Sequence, residues 1–253
     1  MRDHERELQR AFDAQAAAFE HAPVQSDPAA LERLVAFADL PAAARILDAG
    51  CGPGLVSAAF LRAGYRILGV DLSDEMIQRA RARCAAFGDR AWFERQSLFD
   101  PLPEDGFDAA VSRYVIHHVT DPLAFLRRQV ELVRPGGVVV ASDHTTDPDP
   151  ARARWHYQIE CWRDRTHTRC LTAGALTDLF AAAGLLDIRL TEERFALDFD
   201  EWFDRGSPTR PKADVRARLL SGPGARGFLP QELADGHVRI ASWRALVRGV
   251  KSV

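Results

Sequence analysis

Between residues 45 and 145, short apolar runs rich in β-branched residues alternate with longer stretches whose apolar positions recur three and four apart. RILDAG, RILGVDL, AWFERQ, FDAAVS and GVVVASD read as strands. LVSAAFLRAG, SDEMIQRARARCAAFG and DPLAFLRRQVELVRPGG read as the crossover helices, the last stopped by Pro135 and two glycines. This alternation predicts βαβ units and a parallel sheet covered on both faces. Upstream, residues 3–20 and 28–40 have helical periodicity, and Ser26, Asp27 and Pro28 supply a cap followed by a first-turn proline. After residue 145 the rhythm breaks. TTDPDP is a loop, ARARWHYQIECWRDRTHTR is a polar-aromatic helix or lid, and TAGALTDLFAAAGL resumes the alternation. A Gly- and Pro-rich stretch over 200–236 then precedes a last strand, VRIASWRALVRGV.

Composition narrows the classes. A chain of 253 residues that is 47% hydrophobic can bury one sizeable core, so residues 1–253 are expected to form a single domain. Its parts are N-terminal helices (1–40), a ligand-binding core (41–145) and lid insertions (146–172 and 196–236). The 33 basic and 36 acidic residues are spread along the chain, and no basic block offers a footprint for nucleic acid. The charged start MRDHERELQR lacks the apolar core of a secretory signal, and no apolar run approaches the ~20 residues that span a bilayer. A cytoplasmic monomer or homodimer acting on a small molecule is the expectation, with no membrane partner. Cys51, Cys84, Cys161 and Cys170 lack the CxxC spacing of a zinc site, so reduced thiols and no metal are expected.

The first chemistry-bearing stretch is RILDAGCGPG, with Gly50, Gly52 and Gly54 in the turn after the first strand. In open α/β sheets, ligands sit outside the carboxyl ends of the strands, at such turns. A dinucleotide fingerprint needs GxGxxG, but Leu55 stands where its last glycine should be. The lysine–hydroxyl pair of a phosphate loop is also missing, and no Arg or Lys lies in the turn to meet a pyrophosphate. The next strand ends in Asp71, from which a carboxylate can accept hydrogen bonds from both hydroxyls of a ribose.

Four blocks, ILDAGCGPG, GVDLSDEMIQRA, LPEDGFDAAVSRYVIHHVTDP and VELVRPGGVVV, occur in an order and spacing that resemble the class I S-adenosylmethionine-dependent methyltransferases. Among these, the chain looks like the small-molecule group of the ubiquinone and menaquinone pathways, over residues 1 to about 190. The resemblance implies a Rossmann-like, doubly wound α/β fold with a seven-stranded, mostly parallel sheet and a final antiparallel strand. It implies S-adenosylmethionine as cofactor. Gly50, Gly52 and Gly54 would let its methionine part approach the backbone, while Asp48 would order the turn or reach the ammonium. Asp71 would hold the ribose. Leu72 and Met76 would pack on adenine, followed by Gln96, Ser97 and Leu98, with Gln96 where relatives commonly carry an Asp. Arg113 would border the methionine end, and Phe19 would close over the cofactor from the leading helix.

A methyl acceptor with an acidic proton needs a base that works near neutral pH. His117 and His144 follow strands at the edge where the pocket opens, and His167 lies in the lid, so these three are the candidate catalytic residues. His118 reads as packing under its turn. Tyr114, His117, His144, Trp155 and Trp162 are the candidate acceptor-binding residues, the aromatic rings making a slot for a planar substrate. The expected reaction is methyl transfer to O, N or C of a small planar or aromatic metabolite. The alternatives are a nicotinamide-dependent oxidoreductase and a non-catalytic binding protein.

Overall fold

The computed structural model describes residues 3–253. Five of the apolar runs pair as parallel strands: β1 (Arg45–Ala49), β2 (Arg66–Asp71), β3 (Ala91–Arg95), β4 (Phe107–Arg113) and β5 (Val133–His144). β6 (Leu185–Asp198), β7 (Phe228–Glu232) and β8 (Val238–Lys251) complete an eight-stranded sheet whose main path runs β3-β2-β1-β4-β5-β8-β6, with β8 antiparallel to both neighbours. The seven expected strands follow this path. The eighth, β7, lies in the stretch read as irregular. β6 runs along one edge of β8, while residues 244–250 of its other edge pair β5 and residues 238–242 pair β7. β7 therefore extends the sheet beyond the carboxyl end of β5, beside the site.

Ten α-helices are present among the described residues: α1 (Asp3–His21), α2 (Pro23–Ser26), α3 (Pro28–Ala38), α4 (Leu55–Arg62), α5 (Asp74–Cys84), α6 (Pro122–Leu132), α7 (Pro150–Arg163), α8 (Ala173–Ala182), α9 (Phe199–Asp204) and α10 (Lys212–Leu220). None of them is long and apolar enough to cross a membrane. Several start on side-chain caps: Asp27 accepts from Ala29 N, Ser73 from Met76 N, Asp121 from Ala124 N and Asp149 from Ala151 N. One sequence boundary shifts. α6 stops at Leu132, and Val133 is already extended and paired with Phe107, two residues ahead of Pro135. A residue that precedes proline is pushed out of the helical region, so the break propagates upstream.

Neighbouring strand residues face opposite layers. Ile46 packs with Leu34, Phe60 and Ile77 on the α3–α4–α5 side, and Leu47 with Phe125, Leu126 and Phe180 on the α6–α8 side. Both are fully buried, each stabilising the sheet by roughly 1.5–3 kcal/mol. A third core, separate from these two, joins Trp155 and Ile159 of α7 to Trp202, Val215, Leu219, Phe228 and Ile240. The lid is thus a packed layer with its own apolar centre.

Candidate functional site

At the carboxyl ends of β1, β2 and β4 lies a cavity of about 180 Å³ roofed by α1. Gly50, Gly52 and Gly54 all have positive φ, at 78°, 51° and 78°, yet each is glycine for a different reason. A Cβ on Gly50 would lie 2.6 Å from Val115 Cγ2, and one on Gly54 would lie 2.9 Å from Ala80 Cα in α5. Around Gly52 nothing lies within 4 Å. Gly54 is therefore a packing glycine at the start of α4 and does not border the cavity, a correction to its expected ligand role. The turn also satisfies itself: Gly50 N and Cys51 N donate to Val70 O (2.9 and 3.0 Å), and Gly52 N donates to Asp71 Oδ2 (2.9 Å).

Asp71 Oδ1 accepts from Ser73 N at 2.9 Å, so each carboxylate oxygen holds one backbone donor and keeps a lone pair for the cavity it borders. Asp48 points elsewhere. It is buried against Ser57 Oγ (2.6 Å) and outside the cavity lining, so it orders the turn and does not reach toward a ligand. Burial pushes its carboxyl up to about 7, against the Ser57 bond, with the Asp71 charge adding to the rise. Leu72, Met76 and Leu98 give the cavity apolar walls, and Gln96 borders it with its Nε2 buried and unbonded. Ser97 also borders it, but its N–H reaches Asp100 Oδ2 (3.3 Å) and its hydroxyl donates to Glu5 (2.9 Å). Arg113 lies alongside with its guanidinium spent on α2, donating to the Gln25 and Val24 carbonyls (2.8 and 2.9 Å).

α1 is tied down along its length. Ser73 Oγ donates to Asp13 (2.6 Å), Arg79 and Arg83 bind Glu20 (2.6 and 2.8 Å), and His4 Nε2 lies 2.7 Å from His118 O. Leu8, Phe12 and Phe19 face the cavity from this helix. The sequence reading named only Phe19, although the spacing of the three residues already places them on one helix face.

A second, smaller chamber of about 60 Å³ adjoins the first and shares Phe19, Gln25, Tyr114 and His118 with it. His117 and His144 line it. His117 Nδ1 lies 2.6 Å from Asp143 Oδ1 and its backbone N–H donates to Asp143 Oδ2 (3.2 Å). A carboxylate can only accept, so this bond fixes the proton on Nδ1 and leaves the Nε2 lone pair available. Burial holds His117 well below the usual imidazole range, with the neighbouring His118 and His144 adding to the shift. Tyr114 sits at φ 58°, strained for a residue with a Cβ, and its hydroxyl accepts from Arg244 Nη1 at 3.0 Å.

Three expectations are corrected here. Trp155 donates to Arg218 O (3.2 Å) inside the lid core, and Trp162 carries Arg210 over its ring at 5.6 Å, so neither faces the chamber. Their place is taken by Trp202 and Phe228, from segments whose sequence gave no signal. His167 stands behind the wall, its ring 5.4 Å from that of His144 and 5.1 Å from that of His117. Two cationic residues were also missed. Arg163 is buried with Nη2 unbonded, and burial beside Arg163 pulls Arg205 down to about 10. Both line the chamber.

Residues 20–190 match the family profile described as "Methyltransferase domain". The chain belongs to this family. In fold and in the matched region it is similar to the class I S-adenosylmethionine-dependent methyltransferases. It is 35% identical over 124 residues to the ubiquinone biosynthesis O-methyltransferase of Xanthomonas campestris, a match covering 48% of this chain and 52% of that one, so it spans about half the length of such relatives. The uncharacterised methyltransferase YcgJ of Bacillus subtilis is 27% identical over 177 residues, covering 68% of this chain and 69% of its own; its crystal structure superposes with a TM-score of 0.77 at 23% identity, over 88% and 98% of the two chains. Phosphoethanolamine N-methyltransferase 2 of Haemonchus contortus, solved with S-adenosyl-L-methionine, shares the fold at a TM-score of 0.67 and 17% identity, over 100% of this chain and 61% of that one.

The residues at the larger cavity fit this family's cofactor. Gly52 leaves open space, Asp71 keeps an acceptor lone pair on each oxygen at the cavity, and the orphaned Gln96 amide stands at an apolar slot. The one arginine at the cavity among the described residues is committed to α2, and no lysine lines it, which leaves no uncommitted Arg or Lys there for a pyrophosphate.

Proposed function

We propose that this chain transfers the methyl group of S-adenosylmethionine to a hydroxyl of a small planar acceptor that also carries an anionic group. The observation that carries the reading is the meeting of the two cavities at Phe19, Gln25, Tyr114 and His118, which sets an acceptor chamber against the methyl-donor end of the groove. The cofactor, when bound, supplies a methyl already activated on a sulfonium. The protein's own tasks are alignment, water exclusion and proton removal. Asp71 holds the ribose, Gln96 meets the adenine edge, and Leu72 and Met76 pack against it. Trp202 and Phe228 flank a flat ring, while Arg163, whose Nη2 is unbonded, and Arg205, paired to Glu201 at 2.8 Å, line the same chamber and favour a carboxylate or phosphate on it. His117 takes the hydroxyl proton at Nε2, with Asp143 fixing the tautomer and stabilising the imidazolium. His144 then serves as a wall residue and His167 stands behind it, neither of them as the base.

An oxygen acceptor also agrees with the Xanthomonas relative's name. The even spread of charge argues for a metabolite and against nucleic acid, and four free thiols agree with the cytoplasm, where we place it as a monomer or homodimer. Incubation with the cofactor and a panel of hydroxylated aromatic acids, matched uncharged phenols and aromatic amines, read by mass spectrometry, tests the proposal. Methylated hydroxy acids are expected. Turnover confined to amines or to uncharged phenols overturns the acceptor assignment.

A further inference from the structure

Five of the eight histidines converge behind and along the chamber wall, which is more imidazole than one proton transfer uses. Two of them meet a cysteine. His144, His167 and Cys170 each offer a ligand atom within 4.8 Å of the others. His167 Nε2 already lies 3.2 Å from Cys170 Sγ. Donors sharing a tetrahedral ion with bonds of about 2.0–2.3 Å stand roughly 3.3–3.8 Å apart, so small side-chain rotations close the set. The other ring nitrogens lie near carboxylates, without yet being hydrogen-bonded to them. His167 Nδ1 faces Glu160 Oε2 at 3.9 Å and His144 Nδ1 faces Asp143 Oδ1 at 3.4 Å, so both rings turn their Nε2 away from a carboxylate. His144 Nε2 is buried with no hydrogen-bond partner, although buried polar atoms are otherwise nearly always bonded.

We propose that His144, His167 and Cys170 bind a zinc-type divalent ion, with Asp143 and Glu160 orienting the two imidazoles. Two nitrogens and one sulfur suit zinc and disfavour magnesium or calcium. Three protein ligands leave a fourth position open, the pattern of reactive rather than purely structural zinc, and His144 brings the site to the chamber wall. The inference stands apart from the methyl-transfer reading, because it needs no bound cofactor or acceptor. The sequence could not reveal it: the ligands come from the end of β5 and the loop after α7, with no paired-cysteine spacing.

The test uses the full chain, stripped with a chelator and returned to Zn²⁺ or Co²⁺. One zinc per chain is expected by elemental analysis, and the cobalt form should show a near-ultraviolet thiolate-to-cobalt charge-transfer band. Cys170→Ser, which keeps the volume, should abolish that band, and His167→Gln should remove stoichiometric zinc, both with unchanged circular dichroism. Glu160→Gln should weaken zinc by about 10–100-fold. His237→Ala, an exposed histidine far along the chain, should change nothing. Absence of the cobalt–thiolate band in the parent protein, or zinc uptake unaltered by both Cys170→Ser and His167→Gln, overturns the proposal. Should His167→Gln unfold the chain, the Cys170→Ser spectrum alone decides.

Discussion

The groove and the chamber sit side by side and are built in opposite ways. The groove's floor and turn come from one continuous stretch, residues 48–125, in which backbone amides satisfy one another and a single carboxylate, Asp71, ties the β1 turn to the start of α5. The chamber gathers side chains from α1, α2, the ends of β4 and β5, α7, β6, α9, β7 and β8, and its polar lining is mostly buried histidines and arginines, joined by Glu160, Gln25, Tyr114 and Ser242. A site of the first kind is fixed by local backbone geometry and can hold the same ligand in many proteins. One of the second kind can be rebuilt by moving a few side chains, which suits an acceptor that differs between relatives.

The sharpest way to break this division is at His117. If the chamber does the proton transfer and the groove only binds, His117→Ala should lower kcat by roughly 10²–10⁴-fold while the affinity for S-adenosylhomocysteine stays within a factor of about two, as read by steady-state kinetics and calorimetry. A matching loss of cofactor affinity would mean that the two cavities act as one. The converse variant is Asp71→Ala. Each hydrogen bond to a charged group is worth roughly 1.5–3 kcal/mol, so calorimetry should show at least a tenfold weaker cofactor. Asp71 also restrains Gly52 and Ser73, so the loss should exceed that of one ligand bond; an unchanged dissociation constant would remove the ribose assignment.

The same division governs what the sequence made legible. The strands, crossover helices and glycine turn follow from periodicity and from residues close in the chain, and the structure places Asp71, Met76, Gln96 and Gly52 together at one cavity. Glycine, though, records only a need for space or for positive φ. Gly54 meets the backbone of Ala80, a neighbour 26 positions away that no local pattern names. In the lid, Trp155 and Trp162 carried the aromatic signal but were drawn into cores and surface stacking, whereas Phe228 reaches the chamber because β7 joins β8, and Trp202 because α9 packs on β6 and β8. The convergence of His117, His144 and His167 was readable as separate candidates. Which of them would face the acceptor depended on where Asp143 and Glu160 came to lie.

Asp48 offers a smaller effect within the groove. Its carboxyl is raised by burial from an ordinary 3.8 to about 7, so the folded state prefers it protonated. Stability from this group is full below pH 4 and is lost as pH rises through about 7, because the buried charge must then be carried. Asp48→Asn keeps an acceptor for Ser57 and never ionises. Denaturant unfolding of the parent should weaken between pH 5 and 8 by about 1–2 kcal/mol relative to Asp48→Asn, less than the full shift implies because the ionised form relaxes. Parallel pH profiles would remove Asp48 from the account.

The smallest effect separates two glycines of the same turn. Both Gly52 and Gly54 hold positive φ, so alanine at either carries a backbone penalty of about 1 kcal/mol. At Gly54 the added methyl must also displace the Ala80 backbone, 2.9 Å away, and α4 with it. That overpacking adds about 1–3 kcal/mol. At Gly52 the methyl enters open space facing the cavity, where only a ligand would meet it. Gly54→Ala should therefore lower the thermal midpoint more than Gly52→Ala does. Gly52→Ala should instead weaken S-adenosylhomocysteine out of proportion to its small stability loss. Equal thermal shifts with equal binding would make both packing glycines, and the groove would then touch its ligand through side chains alone.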